Sequence, residues 1–195
     1  MSLNIAKPYL DPQADNLLAT YPMPRRALFL DRDGVVNVDR GYVHTMADTE
    51  WVPHIFDLAA DAKEAGYLSI VITNQAGIAR GYYGLEEFMS YTSWMHEEFA
   101  RRQVPLLATY YCPHHPTAGL PEHRVACFCR KPKPGMIIAA KKRFNLDLSQ
   151  SVLVGDTESD LNAAQAAGIL QRALVIDNSL PSFVQLINRF DSTVF

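Results

Sequence analysis

The sequence predicts an α/β fold, a parallel sheet with helices on both faces. Three observations carry this reading. Short apolar runs alternate with amphipathic stretches along the chain, the runs are rich in residues that favour strands, and no repeat or long linker divides the 195 residues. Ala27–Leu30 is an apolar run ending at Asp31 and reads as a buried strand. From Pro53 to Ala65, Ile55, Leu58, Ala59 and Ala62 recur at helical spacing, and Gly66 is placed to end that helix. Tyr67–Thr73 is β-branched and apolar, hence a strand. Leu85–Arg102 carries Phe88, Met89, Thr92, Met95 and Phe99 at three- and four-residue steps, a long amphipathic helix. Leu106–Tyr111 reads as a strand, Gly135–Phe144 as a helix and Ser151–Val154 as a strand. Ser159–Ala167 is an alanine-rich helix closed by Gly168. Ala173–Ile176 is a last strand, and Pro181–Arg189 a last helix with proline in its first turn. The outcome is a Rossmann-like domain over residues 25–195, preceded by a proline-rich N-terminal extension over residues 1–24.

Composition bounds the function. Hydrophobic residues make up 48% and charged residues 20%, which excludes a disordered tail protein. A formal net charge of −3 argues against attachment to nucleic acid or a membrane by bulk charge, while leaving room for a small basic pocket. No long apolar stretch spans a bilayer, and residues 1–24, with four prolines, do not read as a secretory signal. The three cysteines are an odd number within 18 residues, which fits reduced thiols in the cytoplasm better than a disulfide scaffold. No coiled coil or unusual apolar stripe is visible, and a monomer is expected.

In open parallel sheets ligands bind beyond the carboxyl ends of the strands. Asp31 follows the first expected strand, Thr73 ends the second and Asp156 follows the fourth, so three polar groups from distant positions converge on one edge. Asp31 and Asp33 in Asp31-Arg32-Asp33-Gly34 place two carboxylates at a strand end, with Gly34 free to turn sharply. Burying such a pair near Asp156 calls for a cation, and all-oxygen ligands suit Mg²⁺. The same Asp- and Gly-rich segment also reads as an ordinary turn. Asp160 either supports the magnesium shell through water or caps the helix after it.

The stretches FLDRDGVVN, VITNQAG, RKPKPG and GDTESDLNAA resemble, in order, the four motifs of the haloacid dehalogenase superfamily of phosphohydrolases. The resemblance covers Ala27 to about Gly168 and shows no large cap domain. It implies that Asp31 is the nucleophile and Asp33 the general acid/base, that Thr73 hydrogen-bonds the transferring phosphoryl group and that Lys131 neutralises it. It implies further that Asp31, the backbone carbonyl of Asp33 and Asp156 ligate Mg²⁺. Asn74 and Gln75, beside Thr73, are expected to touch phosphate or substrate.

Cys112-Pro113-His114 and Cys127-Phe128-Cys129 are two close pairs joined by a loop, with 12 residues between His114 and Cys127. They can wrap one structural, tetrahedral Zn²⁺ as a Cys₃His set across residues 112–129; a strained Cys127–Cys129 disulfide or free thiols are the alternatives. Placed directly before Arg130-Lys131, this loop is similar to that of the superfamily's zinc-bearing group, which holds heptose-bisphosphate and histidinol-phosphate phosphatases. The spacing is similar to the heptose enzymes. That implies removal of the C7 phosphate of D-glycero-D-manno-heptose 1,7-bisphosphate, a small phosphorylated sugar, on the way to bacterial surface polysaccharide. Arg130 is then expected to bind the distal phosphate. Asp39, Arg40, Gly41 and Tyr42 match the group's substrate-contacting stretch. Thr157 stands where several members carry a lysine, exchanging a charge for a hydroxyl. Histidinol-phosphate or another small phosphosugar is the alternative substrate, and a catalytically inactive zinc-stabilised binding module the alternative of another class.

Overall fold

The computed structural model describes residues 7–188. Six strands form one sheet: β1 (Tyr9–Leu10), β2 (Arg26–Leu30), β3 (Tyr67–Asn74), β4 (Leu106–Cys112), β5 (Val152–Gly155) and β6 (Gln171–Leu174), in the order β1-β4-β3-β2-β5-β6. The helices are α1 (Ala14–Ala19), α2 (Ile55–Glu64), α3 (Ala76–Arg80), α4 (Leu85–Arg101), α5 (Gly135–Phe144), α6 (Glu158–Ala167) and α7 (Phe183–Ile187). Among them no helix is long and apolar enough to cross a membrane.

Side chains of a strand alternate between faces, and β2 shows it. Ala27 and Phe29 pack with Met136, Ile137 and Ala140 of α5 and Ala163 and Ala164 of α6. Leu28 and Leu30 pack with Ile55 and Leu58 of α2, Met95 and Phe99 of α4, and Phe183 of α7. The two helix layers thus cover a sheet whose central strand is apolar on both sides.

Several elements differ from expectation, among them helix α1, which was not foreseen. The sheet is not wholly parallel, because Tyr9–Leu10 pairs antiparallel with β4 through Tyr9↔Thr109 and Leu10↔Ala108. Two residues between prolines carry no periodicity, and prolines are tolerated at an edge. The N-terminal segment is therefore part of the packed unit from β1 onward. Asp11 accepts from the Gln13 amide, and its other oxygen meets His96 Nδ1 at 3.2 Å, while His96 Nε2 lies 2.9 Å from Thr109 Oγ1. The last strand ends two residues earlier than expected, since Ile176 lies beyond the pairing and is 64% exposed. Helix α3 was not expected, and α7 is shorter than Pro181–Arg189, of which Arg189 lies outside the described residues.

The chain runs from β2 outward to β3 and β4, then crosses back to lay β5 on the other side of β2. The connections therefore reverse direction at the boundary of β2 and β5. The loops after these two strands carry Asp31 and Asp156.

Candidate active site

A cavity of about 470 Å³ opens at the carboxyl ends of the strands. Asp31, Asp33, Asp39, Gly41, Tyr42, Thr73, Asn74, Gln75, Arg130, Lys131, Asp156 and Thr157 all line it. Of the residues expected there for catalysis, substrate or magnesium, Arg40 alone is absent. Its guanidinium pairs with Glu50 on the outer face, where both are exposed. A motif match gives a position along the loop and not the direction in which its side chain leaves it.

At the floor, ligand oxygens of Asp31, Asp156 and Asp160 lie within 4.8 Å of one another. Lys131 Nζ bridges Asp31 and Asp160, 2.8 Å from Asp31 Oδ1 and 2.5 Å from Asp160 Oδ1, and also donates to the Ile72 carbonyl at 3.0 Å. Three carboxylates and one ammonium leave two surplus negative charges. The surplus shows in the acidities. Burial, with the Asp160 and Asp156 charges, pushes Asp31 up to about 8, against the pull of Lys131. Burial and Asp160 push Asp156 up to about 6. Burial opposes the Lys131 charge, yet Asp31 and Asp160 hold its pKa above the usual lysine value. An all-oxygen donor set short of two positive charges fits a hard divalent cation such as Mg²⁺.

Glycine makes this proximity possible. Gly34 has φ +84, and a Cβ there would stand 2.4 Å from Asp156 Oδ2. At Gly155 a Cβ would stand 2.2 Å from Asp160 Cβ. Of the two roles its position allowed, Asp160 takes the helix-capping one in the structure. Its Oδ2 accepts from the Thr157 amide at 3.1 Å and hydroxyl at 2.6 Å at the start of α6, while Oδ1 faces Lys131. The Thr157 proton is thereby turned away from the cavity.

Asp33 is held from three sides. Arg32, fully buried, contacts both its oxygens at 2.8 Å; Asn37 Nδ2 donates at 3.1 Å and Gln75 Nε2 at 3.2 Å. Burial works against the Arg32 charge, but Asp33 raises its pKa above the ordinary value. Its guanidinium also donates to the Val43 carbonyl and sits 5.2 Å from the Tyr91 ring centroid. No sequence signal marks Arg32, since an arginine next to acidic residues normally reads as solvated. Asn74 grips the Lys131 main chain, donating to its carbonyl at 3.2 Å and accepting from its amide at 3.1 Å. Its side-chain amide is thus committed to the loop that carries Lys131.

Cys112, His114, Cys127 and Cys129 come together beside the cavity. The thiols are free, and the Cys112–Cys129 and Cys112–Cys127 sulfurs stand 3.3 and 3.5 Å apart. His114 Nδ1 lies 3.4 Å from Cys129 Sγ and 3.7 Å from Cys112 Sγ. Tetrahedral zinc with bonds of about 2.3 Å to sulfur sets ligand separations of about 3.8 Å, so the cluster fits Zn²⁺. Contacts with Cys112, Cys127 and His114 pull Cys129 down to about 5, whereas Cys112 is raised by its contact with Cys129. The loop couples to the cavity through Arg130, which donates to the His114 carbonyl at 3.1 Å.

A HAD-hydrolase-like family profile matches residues 128–177. The chain is 46% identical over 78% of its length to the D-glycero-beta-D-manno-heptose-1,7-bisphosphate 7-phosphatase of Vibrio cholerae, covering 82% of that protein. It is 50% identical over 80% of its length to the D-glycero-alpha-D-manno-heptose-1,7-bisphosphate 7-phosphatase of Burkholderia mallei, again covering 82%. Among solved structures, the D,D-heptose 1,7-bisphosphate phosphatase from B. bronchiseptica, complexed with magnesium and phosphate, superposes with a TM-score of 0.70 at 26% identity. The match covers 87% of this chain and 99% of that one.

Proposed function

Because the chain belongs to the heptose-1,7-bisphosphate 7-phosphatases, phosphoric monoester hydrolases of the HAD-like family, we propose that its cavity removes the C7 phosphate of D-glycero-D-manno-heptose 1,7-bisphosphate through a phosphoryl group carried on Asp31. The observation that carries this reading is the meeting of Asp31, Asp156, Asp160 and Lys131 at the point where the sheet's connections reverse, beside Asp33 and Thr73.

The Asp31 carboxylate attacks phosphorus and the bond to the C7 oxygen breaks. Asp33 gives its proton to that oxygen, then takes one from the water that attacks the phosphoryl-enzyme, releasing phosphate and restoring Asp31. One Asp31 oxygen is fixed by the Arg32 amide at 2.7 Å and by Lys131, which leaves the other for the reacting centre. Thr73 donates its hydroxyl proton to a phosphoryl oxygen. Lys131 offsets the charge that builds on the equatorial oxygens. Asp31, Asp156 and Asp160, with the Asp33 carbonyl, would hold Mg²⁺, which when bound lowers the repulsion between an anionic nucleophile and an anionic phosphate. Cys112, His114, Cys127 and Cys129 would hold a structural Zn²⁺ that orders the approach to Arg130 and Lys131. Arg130 binds the distal C1 phosphate, its planar fork matching phosphate oxygens. Asp39, Gly41 and Tyr42 line the sugar side of the cavity.

The test is a kinetic comparison of the α- and β-heptose 1,7-bisphosphates, the corresponding monophosphates and histidinol phosphate. A heptose bisphosphate should have the highest kcat/KM, and Asp31→Asn should abolish turnover. Arg130→Ala should remove the preference for bisphosphate over monophosphate. Equal losses on both would sink the distal-phosphate role, and preference for histidinol phosphate would sink the substrate.

A further inference from the structure

Gln75 lies just past β3 and is 1% exposed. Its side-chain amide is fully engaged by protein. Oε1 accepts from the Tyr83 hydroxyl at 2.5 Å, and Nε2 donates to Thr73 Oγ1 at 2.7 Å and to Asp33 Oδ2 at 3.2 Å. An amide has two donor hydrogens, and both are accounted for. Tyr83 holds the Oε1 end in place. Its ring is pressed onto Gly77, where a Cβ would stand 2.2 Å away, and stacks on His44 at 4.5 Å. Asp33 Oδ2 is an acceptor, taking a hydrogen bond from Arg32 as well, so the NH₂ end must face Asp33 and Thr73, and Oε1 is left to accept from the Tyr83 phenol.

This fixes two hydroxyl and carboxylate geometries at once. A threonine hydroxyl has a single proton. Since Thr73 Oγ1 accepts from Gln75, its own proton is left to point elsewhere, and Thr73 lines the cavity. Asp33 Oδ2 receives Gln75 on one side and Arg32 on the other.

We propose that Gln75 is a positioning residue of the phosphatase reaction, aiming the Thr73 proton and the Asp33 carboxylate, and that it makes no substrate contact through its amide. The proposal rests on the roles given above to Asp33 and Thr73. The experiment compares Gln75→Leu and Gln75→Glu with the parent enzyme. The Glu variant keeps the volume and the acceptor for Tyr83 but brings no donor to Thr73. Each is assayed on the heptose bisphosphate and on p-nitrophenyl phosphate, whose good leaving group needs little help from a general acid. The expected result is a 10- to 100-fold fall in kcat on the bisphosphate with KM within threefold, and a smaller fall on the nitrophenyl ester. Both variants should show the parent far-ultraviolet circular dichroism. A rise in KM for the bisphosphate with kcat retained would make Gln75 a substrate contact and overturn the proposal, as would unchanged kinetics on both compounds. Asp33→Asn, run alongside, tests the premise separately: it must lose bisphosphate turnover, and if it does not, the reading of Asp33 fails whatever Gln75 does.

Discussion

Gly34→Ala is the sharpest probe of the carboxylate site. The substitution adds one carbon at φ +84, where an L-residue costs about 1–2 kcal/mol. The new Cβ would stand 2.4 Å from Asp156 Oδ2 and 2.7 Å from its Cγ, so Asp156 must retreat by about 1 Å to reach ordinary contact. The conformational part alone should lower the melting temperature by about 2–8 °C for a domain of this size. Displacing a reacting-site group by about 1 Å costs of order 100-fold in rate. Gly34→Ala should therefore lower kcat about 100-fold and raise the Mg²⁺ concentration needed for half-maximal activity. Thermal melts with and without Mg²⁺, and phosphate release across a Mg²⁺ series, measure both. A double-mutant cycle on melting temperature separates the causes: the new Cβ would also stand 2.9 Å from the Asp156 Cβ, so only in an Asp156→Gly background is the collision gone and the backbone cost left alone. A Gly34→Ala protein with parental Mg²⁺ dependence and turnover, or additive effects in the cycle, would refute the reasoning.

Two further outcomes follow from the same geometry. Asp31 and Asp156 bind protons more tightly folded than unfolded, so without Mg²⁺ their contribution to stability is present near pH 4 and is lost as pH rises, through about 6 for Asp156 and about 8 for Asp31. The rise in melting temperature on adding Mg²⁺ should then grow across that window; a Mg²⁺ effect that shrinks with pH would contradict it. Cys129→Ser should abolish a one-per-chain zinc content measured by elemental analysis. It should lower the melting temperature by roughly 10 °C or more, since structural zinc contributes several kcal/mol to folding. Turnover should fall with it, because Lys131 lies two residues on; full activity in a zinc-free protein would separate the loop from the catalytic cation.

Much of the fold was legible because the central strands are apolar on both faces and the helices carry buried positions at regular steps. Phe88, Met95 and Phe99 illustrate this on α4. The edges were not. Tyr9–Leu10 is too short to have a period, and Val175 and Ile176 look like strand residues yet fall beyond the pairing of β6. At the cavity, residue types at strand ends announced Asp31, Asp33, Thr73 and Asp156. Hydrogen-bond direction was beyond reach. Nothing in the order of residues says that Asn74 holds the Lys131 main chain, that Thr157 gives its proton to Asp160, or that Arg40 turns outward to Glu50. These depend on which rotamer the packed neighbours leave open.

Lys131 spends its ammonium on three fixed acceptors, Asp31, Asp160 and the Ile72 carbonyl. A tripod of this kind works as a stationary charge and not as a grasping arm. An anion entering the cavity feels its field at once, with no long side chain left to freeze and little water to strip from the nitrogen. The departing anion, equally, has no clinging cation to shake loose.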